Sequence, residues 1–420
     1  VMYLAFCDRK TGAYWRGTYN SVSDDLGIYQ AKNETQLRDF CKQYGVAIGD
    51  FIPEWDLIFD PHDNVRVDVG NRTVNRFRPT QFMKAVVKRV QKCPQTIFKV
   101  MHHALGGDVD ITEHFVNWIA YVLQYRDRTK TAWVMHGTQG TGKGVLTNNV
   151  LRPIFGAHAT TRRMEELAEK YNSYVADNLL VFVDEVQIRA LENERGVVAK
   201  LKNFITEEIV PVRALYVNPY DVRNYTNWIF MSNESDPVVI PKNDRRHNVG
   251  KFQPQRLELS DQEIKQIDLE LQQFHDYLMG YIVDTDRART VIQSEDRDNM
   301  ITLSESSVDT VASALLEGNF EYFLDMLPTD DSYTRNALVS GKVDEYRKVL
   351  QGMMVRTAPN GKCNIARDEL RTLFDYLTDN IPQSPNKFTS LLKHHRIHTT
   401  KVWVNSKAVY GLPVMWVDVG

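Results

Sequence analysis

Cysteine is scarce in this chain. The four present, Cys7, Cys41, Cys93 and Cys363, are scattered without the paired spacing of a zinc site or a disulfide framework. They read as reduced thiols in a cytoplasmic compartment. Long hydrophobic runs are lacking as well. None approaches membrane-spanning length and no signal-peptide pattern is visible, so no membrane partner is expected. An excess of one charge is also missing. A net charge of −3 over 420 residues carries no global nucleic-acid signature, so any such contact has to come from local patches. Internal repeats and low-complexity tracts are absent. The chain opens on Val1 rather than methionine, as an excised piece of a longer protein would, and its length allows roughly two to four domains.

What is present organises around Ala132–Thr147, AWVMHGTQGTGKGVLT. Ala132 to His136 reads as a buried strand, and Val145 to Leu151 as the start of a helix. Strand, glycine turn, lysine and helix in that order make the context of a phosphate-binding loop. The expected nucleotide-binding residues are Gly137, Thr138, Gln139, Gly140, Thr141, Gly142, Lys143 and Gly144. Glycines let backbone N–H groups approach phosphates, and Lys143 adds a point charge at the helix N-terminus. One more absence falls here. The position after the lysine, where a Ser or Thr hydroxyl ligates Mg²⁺, is Gly144. Three readings stand: the ion is held by phosphates, water and a downstream acid; Thr141 or Thr147 substitutes; or hydrolysis is weak.

A second apolar run, Leu179 to Val183, has the composition of a central parallel strand and closes on Asp184-Glu185. Asp184 at that end suits Mg²⁺, and Glu185 suits activation of a water for attack on a γ-phosphate. A third strand, Asn227 to Ser232, ends at Asn233, whose amide can contact both phosphate and water. Between these lies Val212 to Tyr220, a hairpin with its turn at Asn218-Pro219. Pro241-Lys242-Asn243-Asp244-Arg245-Arg246 follows, and its paired arginines suit a finger reaching a neighbouring subunit's nucleotide. Arg246 is preferred over Arg245 because it stands further from Asp244, which can neutralise its partner.

The ends are read more coarsely. Residues 1–80, rich in aromatic and β-branched side chains, make an α+β module with strands at Tyr3–Phe6 and Val65–Val69. Residues 81–128 are helical, with a capping box at Asp110–Glu113 and an apolar stripe of Phe115, Trp118, Ile119 and Val122. No acid occurs between Asp68 and Asp108, against Arg72, Arg76, Arg78, Lys84, Lys88, Arg89, Lys92 and Lys99. That run is either a solvated face or a path for phosphates. Residues 129–255 form the nucleotide-binding core. Residues 256–355 read as a helical lid, capped at Ser260–Glu263 and striped by Ile264, Ile267, Leu271 and Phe274. Residues 356–420 read as two helices, Ile365–Tyr376 and Pro385–His395, with strands at Lys401–Val404 and Val414–Val417: a winged helix. From Asn380 to Val417 there is again no acid, and Lys387, Lys393, Arg396 and Lys401 are the expected nucleic-acid contacts. Such domains also serve as protein contacts.

Phosphate loop, Asp-Glu strand, hairpin, Asn-ended strand and arginine pair, in that order, resemble the superfamily 3 helicases of viruses and phages. The primase–helicase branch of phages and poxviruses is the nearest match. Tyr171-Asn172 resembles that branch's lead-in to the acidic strand, and Leu201–Thr206 its motif before Arg213. Asn75-Arg76-Phe77-Arg78-Pro79 resembles the module ahead of the ATPase in phage replication proteins. The whole resembles the C-terminal helicase part of phage primase–polymerases, without a polymerase acid motif. The resemblance implies an α/β fold with an AAA+-like core and parallel sheet. It implies a hexameric ring with ATP and Mg²⁺ between subunits, single-stranded DNA through the channel, a fused or associated primase–polymerase, and a place in the host cytoplasm. In this family the hairpin carries a basic residue that grips DNA. Here the tip has no lysine, and Arg213 and Arg223 flank it. The rival reading is a nucleotide-gated clamp that holds DNA for the primase–polymerase with little unwinding. A metabolic kinase is a third class, against which the arginine pair and winged helix argue.

Overall fold

The structure is a computed structural model that describes the chain apart from residues 91, 189–193, 216, 242–243, 305–306, 329–336, 379–380, 383 and 418–420. Aromatic and β-branched residues near the start build a mixed sheet from β1 (Met2–Asp8), β2 (Tyr14–Asn20), β3 (Asp25–Gln30), β4 (Glu54–Ile58), β5 (Val67–Asp68) and β6 (Thr73–Asn75). Its strand order is β3-β2-β1-β4-β6-β5. One helix, Glu34–Gln43, accompanies it, N-capped by Asn33. The expected strand over Val65–Val69 shortens to Val67–Asp68.

A parallel sheet follows: β7 (Ala132–His136), β8 (Ala159–Arg163), β9 (Leu180–Asp184), β12 (Asn227–Ser232) and β13 (His247–Val249), in the order β13-β7-β12-β9-β8. A separate antiparallel ribbon pairs β10 (Ile209–Val212) with β11 (Tyr220–Arg223), so the stretch Val212–Tyr220 read as a hairpin is mostly the loop joining two flanking strands; Tyr216 in that loop lies outside the described residues. The central strands are apolar throughout because both faces are covered. Alternation sends Trp133 and Met135, Leu180 and Phe182, and Ile229 and Met231 into one core. Ala132 and Val134, Val181 and Val183, and Trp228 and Phe230 enter the core on the other face.

The first core is roofed by the helices Gln95–Ala104, Val109–Tyr125 and Asp261–Gly280. The stripe Phe115, Trp118, Ile119 and Val122 is buried there. The expected cap at Asp110 moves: Asp108 is the N-cap, its carboxylate accepting from Ile111 N at 3.0 Å. The long helix Asp261–Gly280 has the expected Ser260–Glu263 box. Its buried stripe is Ile267, Leu271, Phe274 and Leu278, while Ile264 is exposed.

Gln95–Ala104 starts at Pro94 and has no side-chain cap of its own. Glu270 supplies one from across the core. Its carboxylate accepts from Thr96 N at 3.1 Å, Thr96 Oγ1 at 2.9 Å and Ile97 N at 3.0 Å. A carboxylate at a helix N-terminus satisfies orphan donors and meets the positive end of the dipole.

The chain divides into two compact units, Val1–Leu303 and Ser304–Gly420. The division falls inside the segment 256–355 read as one lid. The second unit holds the helices Ser307–Glu317, Phe320–Asp325 and Ala337–Arg356, then β14 (Lys362–Ala366), the helices Arg367–Leu377 and Pro385–His394, β15 (Thr400–Val404) and β16 (Lys407–Met415). The sheet order is β14-β16-β15. β14 has no counterpart in the sequence reading, and the last strand begins at Lys407 rather than Val414. Asn405 and Ser406, with φ of 49° and 62°, make the tight turn that joins β15 to β16.

Glu270→Ala is expected to destabilise the chain by about 1–3 kcal/mol, because it leaves buried N–H groups without an acceptor. Urea denaturation reads this as a lower midpoint at unchanged slope. Glu270→Gln, whose amide oxygen still accepts, is expected to lose less.

Candidate nucleotide site

β7, β12 and β9 are neighbours and parallel, so their carboxyl ends open on one edge of the sheet. Registers fix which residues meet there: Ser232 stands beside His136, and Phe230 beside Val183. The phosphate loop leaves β7, Asn233 leaves β12, and Asp184 with Glu185 ends β9. Gly137 N donates to Ser232 O at 3.3 Å, and Val186 N to Met231 O at 2.9 Å, which ties the three ends together.

The loop needs glycine at two points. Gly137 has φ 152°, and a Cβ there would stand 2.4 Å from Gln253 O. Gly142 has φ 91°, and its Cβ would stand 2.6 Å from Leu257 Cδ2. Gly144 needs no such freedom: its nearest neighbour to a Cβ is Asn148 Nδ2 at 3.9 Å, and its φ is not left-handed. After Gly142 the chain is helical from Lys143 to Phe155, with a π-type widening over Leu146–Leu151.

Lys143 is buried at the centre of the loop. Its Nζ donates to Gly137 O at 2.8 Å, Thr138 O at 3.2 Å, Thr141 Oγ1 at 3.1 Å and Asn233 Oδ1 at 3.3 Å. Burial lowers its pKa to about 8, against the opposing charge of Asp184. Glu185 is exposed and holds a left-handed backbone, φ 54°, uncommon for a residue with a side chain. Its N–H donates to Asp184 Oδ1 at 3.0 Å. The two threonines near Gly144 differ. Thr141 offers its hydroxyl inside the loop, beside Lys143. Thr147 spends its own on Lys143 O at 3.1 Å and Gly144 O at 3.3 Å, within the helix. Among the described residues no trio of His, Cys, Asp or Glu is arranged to hold a metal. The hard oxygens of Asp184 and Thr141 suit Mg²⁺ when phosphates and water complete its shell.

The arginine pair lies elsewhere. β13 runs parallel to β7 and begins beside its start, where Ala132 N donates to Arg246 O at 2.6 Å. The pair therefore sits at the opposite edge of the sheet from Lys143, about 16 Å of strand away. The preference for Arg246 is corrected by the geometry. Arg246 Nη2 pairs with Asp244 Oδ1 at 3.1 Å, and its side chain is only 14% exposed. Arg245 is exposed. Burial alone would raise the Asp244 carboxyl, but the hydrogen bond and charge of His247 and the Arg246 N–H hold it well below the usual range. Lys242 and Asn243 of the same stretch lie outside the described residues.

Residues 135–246, which carry the glycine loop, Asp184-Glu185, Asn233 and the arginine pair, match a family described as of unknown function (DUF5906). The DNA primase-polymerase of Nitratiruptor phage NrS-1 is 31% identical over 260 residues, 61% of this chain and 36% of that protein. The chain is a homologue of a phage primase–polymerase. It spans about a third of that relative's length. Two structures of the C-terminal region of the NrS-1 protein match across 98% of this chain and 96% of theirs, with TM-scores of 0.72 and 0.70 at 24% and 23% identity. That likeness extends to the fold of the whole chain, a mixed α/β architecture with a parallel sheet.

Sequence reading missed the strap over the loop. Thr138 N donates to Gln253 O at 2.8 Å and Leu257 N to Gly140 O at 2.9 Å. The stem of Arg256 lies against Gly140, and His103 Nδ1 stands 3.0 Å from Thr141 O. No local pattern announces these residues, because they reach the loop from distant elements.

The expected DNA contacts are dispersed. Arg213 is exposed, and its backbone is gripped by Asn172, which accepts from Arg213 N at 2.7 Å. Asn172 thus braces the end of β10 where the connecting loop begins. Leu201, Phe204 and Ile205 of the Leu201–Thr206 motif are core residues. Arg223 is exposed, 3.9 Å from Glu208. In the N-terminal basic run, Arg76, Arg78, Lys84 and Lys99 are ion-paired with Asp177, Asp25, Asp24 and Glu263. In the second unit Lys387, Lys393, Arg396 and Lys401 are all exposed. Trp403 and Tyr410 stand out on the β15–β16 hairpin, 69% and 65% exposed, with Lys401 opposite Tyr410 in the strand pair. Among the described residues no helix is long and apolar enough to cross a membrane.

The lowered pKa of Lys143 has two consequences. The buried charge costs folding free energy at neutral pH, and that cost is relieved as pH rises from about 8 towards 10.5. An amine-selective label should accordingly modify Lys143 with a midpoint near pH 8, below the ordinary lysine value, as read by mass spectrometry. ATP should protect it.

Proposed function

We propose that this chain is an ATP-dependent ring helicase module for phage DNA replication, coupling hydrolysis at subunit interfaces to movement on DNA. The observation that carries the reading is the split between the two edges of the parallel sheet. Lys143, Asp184, Glu185 and Asn233 gather at one edge. Arg245 stands at the other, beyond reach of its own subunit's loop. An arginine so placed serves a nucleotide only if a second subunit presents one, as in a ring. The strand order, with β12 between the phosphate-loop strand and the acidic strand, suits the AAA+-like core that the resemblance implies.

In this reading the loop N–H groups and Lys143 hold the phosphates of ATP. Asp184 holds Mg²⁺, which supplies charge neutralisation when bound. Glu185 accepts a proton from the attacking water, and Asn233 orients that water. Arg245 of a neighbour stabilises charge on the transferring group. The hexamer is the expected ring, with single-stranded DNA in its channel and a primase–polymerase fused or associated. The helix pair and β-hairpin of the second unit form a winged helix, whose Lys387, Lys393, Arg396 and Lys401 with Trp403 and Tyr410 offer phosphate and stacking contacts. A clamp with little unwinding is the second reading. It is favoured by Gly144 and by a hairpin tip without lysine.

ATP turnover measured with and without single-stranded DNA, beside a solution mass, tests the proposal. Turnover stimulated by DNA in an oligomer is expected. Glu185→Gln should bind ATP and fail to turn it over. Arg245→Ala and Lys143→Ala should each be inactive, yet mixed assemblies should regain activity, since some interfaces pair an intact loop with an intact arginine. Confirmed mixed assemblies without activity would remove Arg245 from the trans role.

Gly144→Ser should fold, because a side chain has room there, and should lower the Mg²⁺ concentration needed for turnover. Unchanged Mg²⁺ dependence in the folded variant would count against a missing hydroxyl ligand.

A further inference from the structure

A cavity of about 670 Å³ opens away from the phosphate loop, between the N-terminal sheet, the edge strand β8 and the base of the β10–β11 hairpin. Its size falls within the ~300–1,000 Å³ usual for small-molecule sites. Lys10, Arg76, Arg162 and Arg223 line it, against Asp8 and Asp177. Both acids are already engaged. Asp8 accepts from Thr11 N and Oγ1 and from Leu57 N, which fixes the β1–β2 turn. Asp177 pairs with Arg76 at 2.6 Å. Of the remaining cations, Arg162 is partly balanced by Glu166 at 3.2 Å and Arg223 by Glu208 at 3.9 Å. Lys10 is exposed, its Nζ 6.0 Å from the Tyr220 ring centroid. The wall itself thus carries four cations against two carboxylates, while Glu166 and Glu208 lie outside the lining.

Aromatic rings share that wall. Trp15, Tyr174 and Tyr220 line it, and Arg162 stacks 5.2 Å from the Tyr174 centroid. Rings for a flat heterocycle beside cations for a phosphate make a combination that a bare anion does not need.

We propose that this cavity binds one nucleotide unit, its base against Trp15 and the tyrosines and its phosphate towards Lys10, Arg162 and Arg223. The unit is either a free nucleotide or one residue of a single strand lying across the hairpin base. Only the second source rests on the DNA reading above; the cavity's chemistry stands without it.

Tryptophan fluorescence of the whole chain, compared between the parent and Trp15→Phe so that binding at the phosphate loop does not count, tests this. The two probes are thymidine monophosphate and a short oligothymidylate. A quench that disappears in Trp15→Phe is expected, and Lys10→Glu should weaken binding about tenfold by reversing a charge beside the phosphate. Lys10 sits in an exposed turn, so a melting temperature matched to the parent would confirm its fold. Quenching by both probes assigns the site to free nucleotides; quenching by the oligonucleotide alone assigns it to a strand. No Trp15-dependent quench with either probe, or parental affinity in folded Lys10→Glu, overturns the proposal. Absent ATP turnover in the parent would sink the helicase reading and leave this result standing.

Discussion

The parallel pairing of β12 with both β7 and β9 is the constraint on which the candidate site depends. These strands are buried on both faces, and their alternate side chains feed two separate cores. A register slip by one residue would exchange those sets, moving Trp133 and Trp228 each to the wrong side. The register that packing enforces is also the one that brings Lys143 within 3.3 Å of Asn233. Chemistry at the strand ends is thus set by hydrophobic burial in the strand centres.

The same sheet separates two halves of the proposed catalysis. Parallel strands give it a carboxyl edge and an amino edge. The phosphate loop, acids and Asn233 occupy the first, and Arg245 with Arg246 the second. Asp244 fixes the turn into β13 by accepting from Arg246 N and His247 N, both at 2.9 Å, and from His247 Nδ1 at 3.0 Å. Arg246 is part of that structural knot, which leaves Arg245 as the side chain turned to solvent.

The N-terminal module is held on the core by polar and aromatic contacts that its motif residues make. Phe77 is buried and stacks on His158 at 5.1 Å, and Arg78 N donates to His158 Nε2 at 2.8 Å. Arg76 reaches Asp177. The stretch Asn75–Pro79 is therefore a docking seam, and its arginines are largely committed to it. The cavity beside β8 is a product of that docking.

Burial on both faces and glycine turns leave local patterns, so the central strands β7, β9 and β12, the glycine loop and the strand-end acids were legible along the chain. The sequence also showed the missing hydroxyl at Gly144 and the two acid-free tracts. What those residues face follows from packing between distant parts of the chain. Spacing along the chain placed Arg246 further from Asp244, yet a turn folds it back onto that carboxylate. The acid-free run from Arg72 to Lys99 looks uniformly basic until Asp24, Asp25, Asp177 and Glu263 arrive from elsewhere. The strap of Gln253 and Arg256, the cap from Glu270, and β14 paired to the edge of the last hairpin carry no local signal. Each depends on partners far apart in sequence, and only packing of the whole chain brings such partners into contact.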